Sequence, residues 1–472
     1  MKIIKNFLWN AGFQVFVLIV PLITIPYINR VLGPTGVGIN AFTTSIVQYF
    51  VLFGSLGINL YGNRQIAYLR DDRREMSQTF WEITIIRFIC TSIAMLLYFI
   101  FVIFTDKYRV YYLAQGLVLF ATAFDISWFF QGQENFRVTV LRGVFVRLIS
   151  LVLVFVFVRR ADDTLLYIII MSVTQVIGNW ALWPYLKGQI EKASKWSSLR
   201  IVRHIRPSFM LLVPQIATQI YLQLNKTMLG IFQDVTAAGF FDNSDKIIKM
   251  LLAVVTATGT VLLPHVAHSF ARGDKAAVNR SLEVSMHVIL VMAIPLAFGI
   301  SAVANTFTYY FFSDQFMPVA DLMALEAIVV LPISIANAIG IQYLLPTNQM
   351  RPYTTSVILG SIANVMLNIP LIIAWGAMGA VISTILTEAL VMAYQMFYVR
   401  KQVQLGELFS ETWKYFLAGL VMYADVRLLE NLLERSIAHL VMEVIIGGIV
   451  YVIVLLLLKP HHFLSYFKLF KQ

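Results

Sequence analysis

The 472-residue chain lacks most of what a water-soluble protein needs. Charged residues make up 13% of it, where soluble chains carry about 25%, while apolar residues reach 59% and the mean hydropathy is +0.76. So little charge cannot cover soluble domains of this length, and a soluble fold is excluded. One cysteine, Cys90, rules out an internal disulfide and any multi-cysteine metal site. No Gly-x-x-x-x-Gly-Lys-Ser/Thr run is present, which removes ATP hydrolysis by a P-loop. His265 and His268, three residues apart, are too little for a metal site, so neither metal nor cofactor is expected. Positions 6 to 29 hold no Asp or Glu, so the first apolar segment offers a cationic substrate no carboxylate.

What is abundant is apolar sequence in long runs. A bilayer core ~30 Å thick takes about 20 apolar residues per helix. Fourteen windows satisfy this: 7 to 29, 38 to 60, 81 to 104, 110 to 130, 138 to 158, 164 to 186, 208 to 232, 240 to 264, 284 to 304, 322 to 345, 353 to 373, 377 to 399, 413 to 429 and 437 to 458. The fold class predicted is an all-α integral membrane protein with fourteen transmembrane helices. The first window is too long for a signal-peptide core, contains Pro21 and Pro26, and is kept as a helix. With the N-terminus placed in the cytoplasm, inside segments hold 24 Lys and Arg residues and outside segments seven. That bias places both termini in the cytoplasm, with the protein in the cytoplasmic (inner) membrane, and accounts for much of the formal charge of +11 without nucleic acid. The outside segments are short, leaving no room for the catalytic loop of a glycan polymerase, and no enzyme activity is expected.

One internal repeat is visible. Asn29-Arg30-Val31-Leu32-Gly33 closes window 1, and Asn225-Lys226-Thr227-Met228-Leu229-Gly230 closes window 7. Each is followed by a small-residue opening, Gly36-Val37-Gly38 and Ala237-Ala238-Gly239. The offset is six helices, an even number, so the copies share one orientation. This implies two six-helix lobes around a central cavity, helices 1 to 6 within residues 1–200 and helices 7 to 12 within 201–402. Helices 13 and 14 with a tail occupy 403–472.

The stretch Pro21-Leu22-Ile23-Thr24-Ile25-Pro26-Tyr27-Ile28-Asn29-Arg30-Val31-Leu32-Gly33-Pro34 resembles the opening of the Wzx-type polysaccharide flippases of the multidrug/oligosaccharidyl-lipid/polysaccharide exporter superfamily. Further likeness lies in Leu56-Gly57-Ile58 with Tyr61-Gly62 and Arg64, Asp125 with Trp128-Phe129-Phe130-Gln131-Gly132, Leu224-Asn225-Lys226, Gly239 with Lys246-Ile247, and Leu263-Pro264. The resemblance covers the first twelve helices. It implies translocation of an undecaprenyl-pyrophosphate-linked oligosaccharide from the cytoplasmic to the outer leaflet by alternating access, alongside a glycan polymerase and glycosyltransferases of the same pathway. A cation-coupled multidrug exporter of the same superfamily is the alternative.

A charge at the bilayer centre costs ~2.5–3.5 kcal/mol on insertion scales, so those that persist face a cavity or one another. The basic candidates for binding pyrophosphate are Arg30, Lys226, Arg87 and Lys246, with Arg147 and Lys249 behind them. The opposing reading is internal pairing, Glu82 with Arg87, Asp242 with Lys246 and Asp245 with Lys249. Asp125, Glu326 and Glu388 are the candidates for ion coupling. The segment from Lys187 to Arg206, with Trp196 in it, reads either as an interfacial helix that gathers anionic lipid or as ordinary positive-inside topology. In labelling of single-cysteine variants in intact cells, Lys195 and Arg272 should report the cytoplasm and Asp162 and Asp314 the outside. Opposite labelling of either pair would overturn the span count.

Overall fold

The computed structural model describes the backbone of residues 2–191, 199–432 and 436–460, and no strand occurs among them. Lys195, Trp196, Arg435, Lys468 and Lys471 lie outside the described residues, as does the side chain of His265. In chain order the α-helices are α1 (Lys2–Ser55), α2 (Ile58–Leu69), α3 (Arg73–Ile103), α4 (Arg109–Ala123), α5 (Ser127–Gly132), α6 (Phe136–Phe157), α7 (Thr164–Trp180), α8 (Val202–Phe232), α9 (Val235–Ala271), α10 (Lys275–Phe311), α11 (Pro318–Glu326), α12 (Val330–Ile339), α13 (Met350–Val399), α14 (Leu405–Leu408), α15 (Thr412–Leu432) and α16 (Ile437–Leu458). Among the described residues, nine helical runs are long and apolar enough to cross a membrane. The chain divides into two compact units, 1–227 and 228–472, the division falling within α8.

The helix boundaries follow from the polar residues between apolar windows. Asp72 caps α3 by accepting from the backbone N–H of Arg74 (2.9 Å) and Glu75 (3.0 Å). Asp234, Asp274 and Ser436 do the same for α9, α10 and α16. Each supplies an acceptor to an amide left without an intrahelical partner. Two long helices are broken internally. In α1 the break is at Gly33, φ 66°, where the following Pro34 disfavours helical geometry and glycine tolerates the left-handed region. In α13 it is at Gly376, φ 56°.

Within the first unit, α2, α3 and α5 meet in a dense aromatic core containing Tyr61, Phe80, Trp128, Phe129 and Phe130. Trp128 is fully buried, stacked 5.6 Å from Phe80. Its indole lies against Gly62, where any Cβ would run into the ring, and a Cβ on Gly132 would come within 2.6 Å of the Asn63 carbonyl oxygen. These glycines therefore set how closely α2 and α5 approach. Gly62→Val should lower the thermal unfolding midpoint, consistent with overpacking that typically costs about 1–3 kcal/mol. Gly448→Ala, whose Cβ would meet nothing within 4 Å, should leave it unchanged or raise it. Equal midpoints for the two variants in detergent would show that the close approach is not needed.

Candidate functional site

Three helices of the first unit, α1, α6 and α7, enclose a cavity of about 410 Å³. Its walls are mostly apolar: Val20, Pro21 and Ile28 from α1, Val146 and Val154 from α6, Met171 from α7. Tyr27 fixes α1 against the far end of α6, stacking 4.2 Å from Phe155 and donating to the Val158 carbonyl at 2.7 Å. Two glycines let the walls close. Gly143 admits the Phe13 ring, which a Cβ would meet at 2.6 Å, and Gly178 admits the Val146 side chain.

Into this apolar enclosure project two guanidinium groups, Arg142 and Arg147. Arg142 donates through Nε to the Gly178 carbonyl at 3.2 Å and through Nη2 to the side-chain oxygen of Asn179. Asn179 is buried and donates in turn to the Ala121 carbonyl at 2.6 Å, which fixes the oxygen that faces Arg142. These partners are neutral, so they orient the guanidinium without cancelling its charge, although Asp125 lies within electrostatic range of it. Arg147 sits over the Phe13 ring, 5.9 Å from its centre. Ser150 and Thr174 are satisfied by one another at 2.8 Å. Chemically, the cavity suits a ligand with an anionic head and an apolar body, since a guanidinium forks two phosphate oxygens.

Arg87 is buried at 1% exposure and is tied down internally. It donates to the carbonyls of Thr122 (3.3 Å) and Asp125 (2.7 Å) and to the Asn59 side chain, with the Asp125 carboxylate 3.7 Å away. The expected Glu82–Arg87 pair does not form. Five residues along a helix leave two side chains about 140° apart around it, too far to meet. Glu82, fully buried, instead accepts from Gln78 (2.9 Å), the Arg200 backbone N–H (2.7 Å), Arg203 (2.7 Å) and His204 (2.6 Å). The other ring nitrogen of His204 meets the Tyr61 hydroxyl at 2.7 Å. Nothing in the order of residues singles out this cluster, because its members lie about 120 positions apart.

Arg30 is exposed on α1 just before the Gly33 break, and Lys226 is half-buried on α8. Both fall in the first unit. Beside Lys226, Thr227 is bonded to Ser45 at 2.8 Å and Tyr49 at 3.2 Å. In the second unit the two i,i+4 pairs form as expected: Lys246 meets Asp242, and Lys249 meets Asp245 at 2.7 Å. Glu326, 1% exposed at the end of α11, accepts from Ser244. Glu388 is half-buried on α13. Arg142 was not among the basic candidates of the sequence, although it falls within the fifth apolar window. The start of α6 at Phe136 places it more than a turn inside the helix, and a charged residue inside an apolar window was the available sign.

Two family models match the chain, "Polysaccharide biosynthesis protein" over residues 3–270 and "Lipid II flippase MurJ" over 163–446. Among curated relatives, a protein of Escherichia coli strain K12 named "Putative O-antigen transporter" is 23% identical over 84% of this chain and 96% of its own length. The lipid II flippase MurJ of Bacillus subtilis strain 168 is 26% identical over 33% of this chain and 29% of its own length. Among solved structures, the lipid II flippase MurJ in an inward closed conformation superposes with a TM-score of 0.74 at 13% identity, covering 96% of this chain and 98% of that one. An inward-facing multidrug resistance transporter of the MATE family gives 0.58 at 10% identity, covering 87% and 99%. These two superpositions show that the fold is that of this transporter group. The chain belongs to the polysaccharide biosynthesis protein family, as a multi-span membrane transporter of the Wzx flippase type and not an enzyme.

Proposed function

We propose that the protein carries an undecaprenyl-pyrophosphate-linked oligosaccharide from the cytoplasmic to the outer leaflet of the inner membrane. The observation that carries this reading is the cavity of α1, α6 and α7, where Arg142 and Arg147 stand in an apolar enclosure. A polyprenyl diphosphate has the matching combination: two phosphates for the guanidiniums and an isoprenoid chain for the wall. Arg30 and Lys226 supply further basic groups along the substrate's path. In this reading α1 and α13 each cross twice, breaking at Gly33 and Gly376, and with α8, α9 and α15 the crossings number fourteen, both termini lying inside. They form two six-helix lobes that alternate access and two appended helices. Glycosyltransferases of the pathway supply the substrate and a polymerase consumes the flipped product. A multidrug exporter would need to attract cations, and two arginines in the cavity repel them.

Without a P-loop, the drive is the membrane potential, an ion gradient or removal of the flipped product, with the potential worth ~2.3 kcal/mol per elementary charge per 100 mV. Asp125, Glu326 and Glu388 are the carboxylates available for coupling. Arg142→Gln and Arg147→Gln should each reduce surface glycan export by roughly 10- to 100-fold at normal membrane insertion, since a hydrogen bond to a charged group contributes about 1.5–3 kcal/mol. Arg142→Lys should fall between, because a lysine cannot hold the Gly178 carbonyl and Asn179 together while engaging a phosphate. Unimpaired export in both Gln variants would retire the cavity as the substrate site. Arg30→Gln and Lys226→Gln should also cripple export, with Lys226→Arg milder, and normal export in both Gln variants would remove these two residues from the path.

A further inference from the structure

The helix α16 hides a pair of ionisable side chains that transport through α1, α6 and α7 leaves unused. His439 is 1% exposed and Glu443 is fully buried, one turn apart, with Nε2 and Oε1 separated by 3.3 Å. Neither ring nitrogen of His439 and neither carboxylate oxygen of Glu443 makes a directed hydrogen bond. They lie on the helix face buried at every fourth position, His439, Glu443, Gly447, Tyr451 and Leu455, so they point into protein and not into lipid. Gly447 brings α15 close: a Cβ there would lie 2.8 Å from the Val426 side chain. From α10, Thr306, fully buried, sets its hydroxyl beside the Glu443 carboxylate without a well-directed bond.

Of the other charged groups near the pair, one cation and one anion offset each other. On α15 the groups within electrostatic reach are Arg427 and Glu430, which form their own bridge at 2.7 Å, with Arg427 also bonded to the Tyr423 hydroxyl at 3.3 Å. Asp425 is the other acid on that stretch of α15. With a neutral imidazole and an ionised carboxylate, the pair carries one uncompensated negative charge about 9 Å into α16 at 1.5 Å per residue. A buried charge in that position is costly, and one added proton removes it, whether carboxyl or imidazole receives it. An imidazole beside a carboxylate favours a proton over sodium, which is better served by a shell of oxygens.

We infer that His439, Glu443 and Thr306 form a proton-binding site in the helix group α10, α15 and α16. One proton taken from water neutralises the pair, and no other reactant is involved. The inference stands apart from the flippase reading, because proton binding is measurable on the purified protein without substrate.

The test is potentiometric. Full-length protein in detergent at constant sodium is stepped from about pH 8 to about pH 5, and the protons bound are compared with those bound by Glu443→Gln and by His439→Gln. Glu443→Gln should take up about one proton fewer per molecule and lose the protonated-carboxyl infrared band that labelled glutamate shows in the wild type. His439→Gln, which keeps the carboxyl, should shift the pH at which that band appears. If Glu443→Gln does not fold, the His439→Gln shift decides alone. Uptake and band position identical to wild type in the folded variants would overturn the site. So would a band that responds to sodium at fixed pH.

Discussion

Hydrocarbon offers no hydrogen bond, and from that constraint most of this structure follows. Backbone amides and carbonyls must be satisfied within the chain, so the described residues contain helices and no strands. Side-chain charges obey the same rule. Arg87 ends on two carbonyls, an asparagine and a carboxylate. Glu82 ends on donors from Gln78, Arg200, Arg203 and His204. A buried ion held this way is expensive to break, because removing one partner leaves the other charged and dry. The Glu82 cluster accordingly reads as a fastening between α3 and the start of α8, with Tyr61 of α2 drawn in through His204.

Against that background, the manner in which a cation is satisfied separates structure from function. Lys246 and Lys249 face carboxylates one turn away, and each pair is locally neutral. Arg142 is different: its hydrogen-bond partners are a carbonyl and an amide, with the Asp125 carboxylate only within electrostatic range, so neutral groups fix its position on the cavity wall. Orientation by neutral groups suits the proposed phosphate site, since a carboxylate bonded in the same place would compete with the ligand. Arg147, held over an aromatic ring, keeps its charge in a similar way.

Glycine and proline supply the shape. Gly62, Gly132, Gly143 and Gly178 sit where another side chain or backbone occupies the place of a Cβ. The cavity and the aromatic core of the first unit both owe their dimensions to such contacts. Several residues that carry the family likeness, Gly62, Trp128 and Gly132 among them, therefore do packing work in α2 and α5 and do not touch the proposed substrate site.

The sequence alone determined which segments are apolar and helical, but not where every helix ends, since two pairs of windows run together as α1 and α13 and the window 322 to 345 divides into α11 and α12. Apolar runs of about 20 residues have one stable state in lipid, and Asp72, Asp234, Asp274 and Ser436 fall at the gaps and cap the helices that follow. It also offered the Lys246 and Lys249 pairs as one of two readings, because neighbours four apart can meet on a helix, and the structure forms both. The tertiary structure decided the rest: that Glu82 turns to His204 and not to Arg87, that Arg87 meets Asp125, that Arg142 lines a cavity, and that His439 and Glu443 face α10 and α15. A hydropathy window is blind to the rotation of a helix about its own axis. That rotation is set by contacts between helices far apart in sequence, and it alone determines which side of a span meets lipid, protein or substrate.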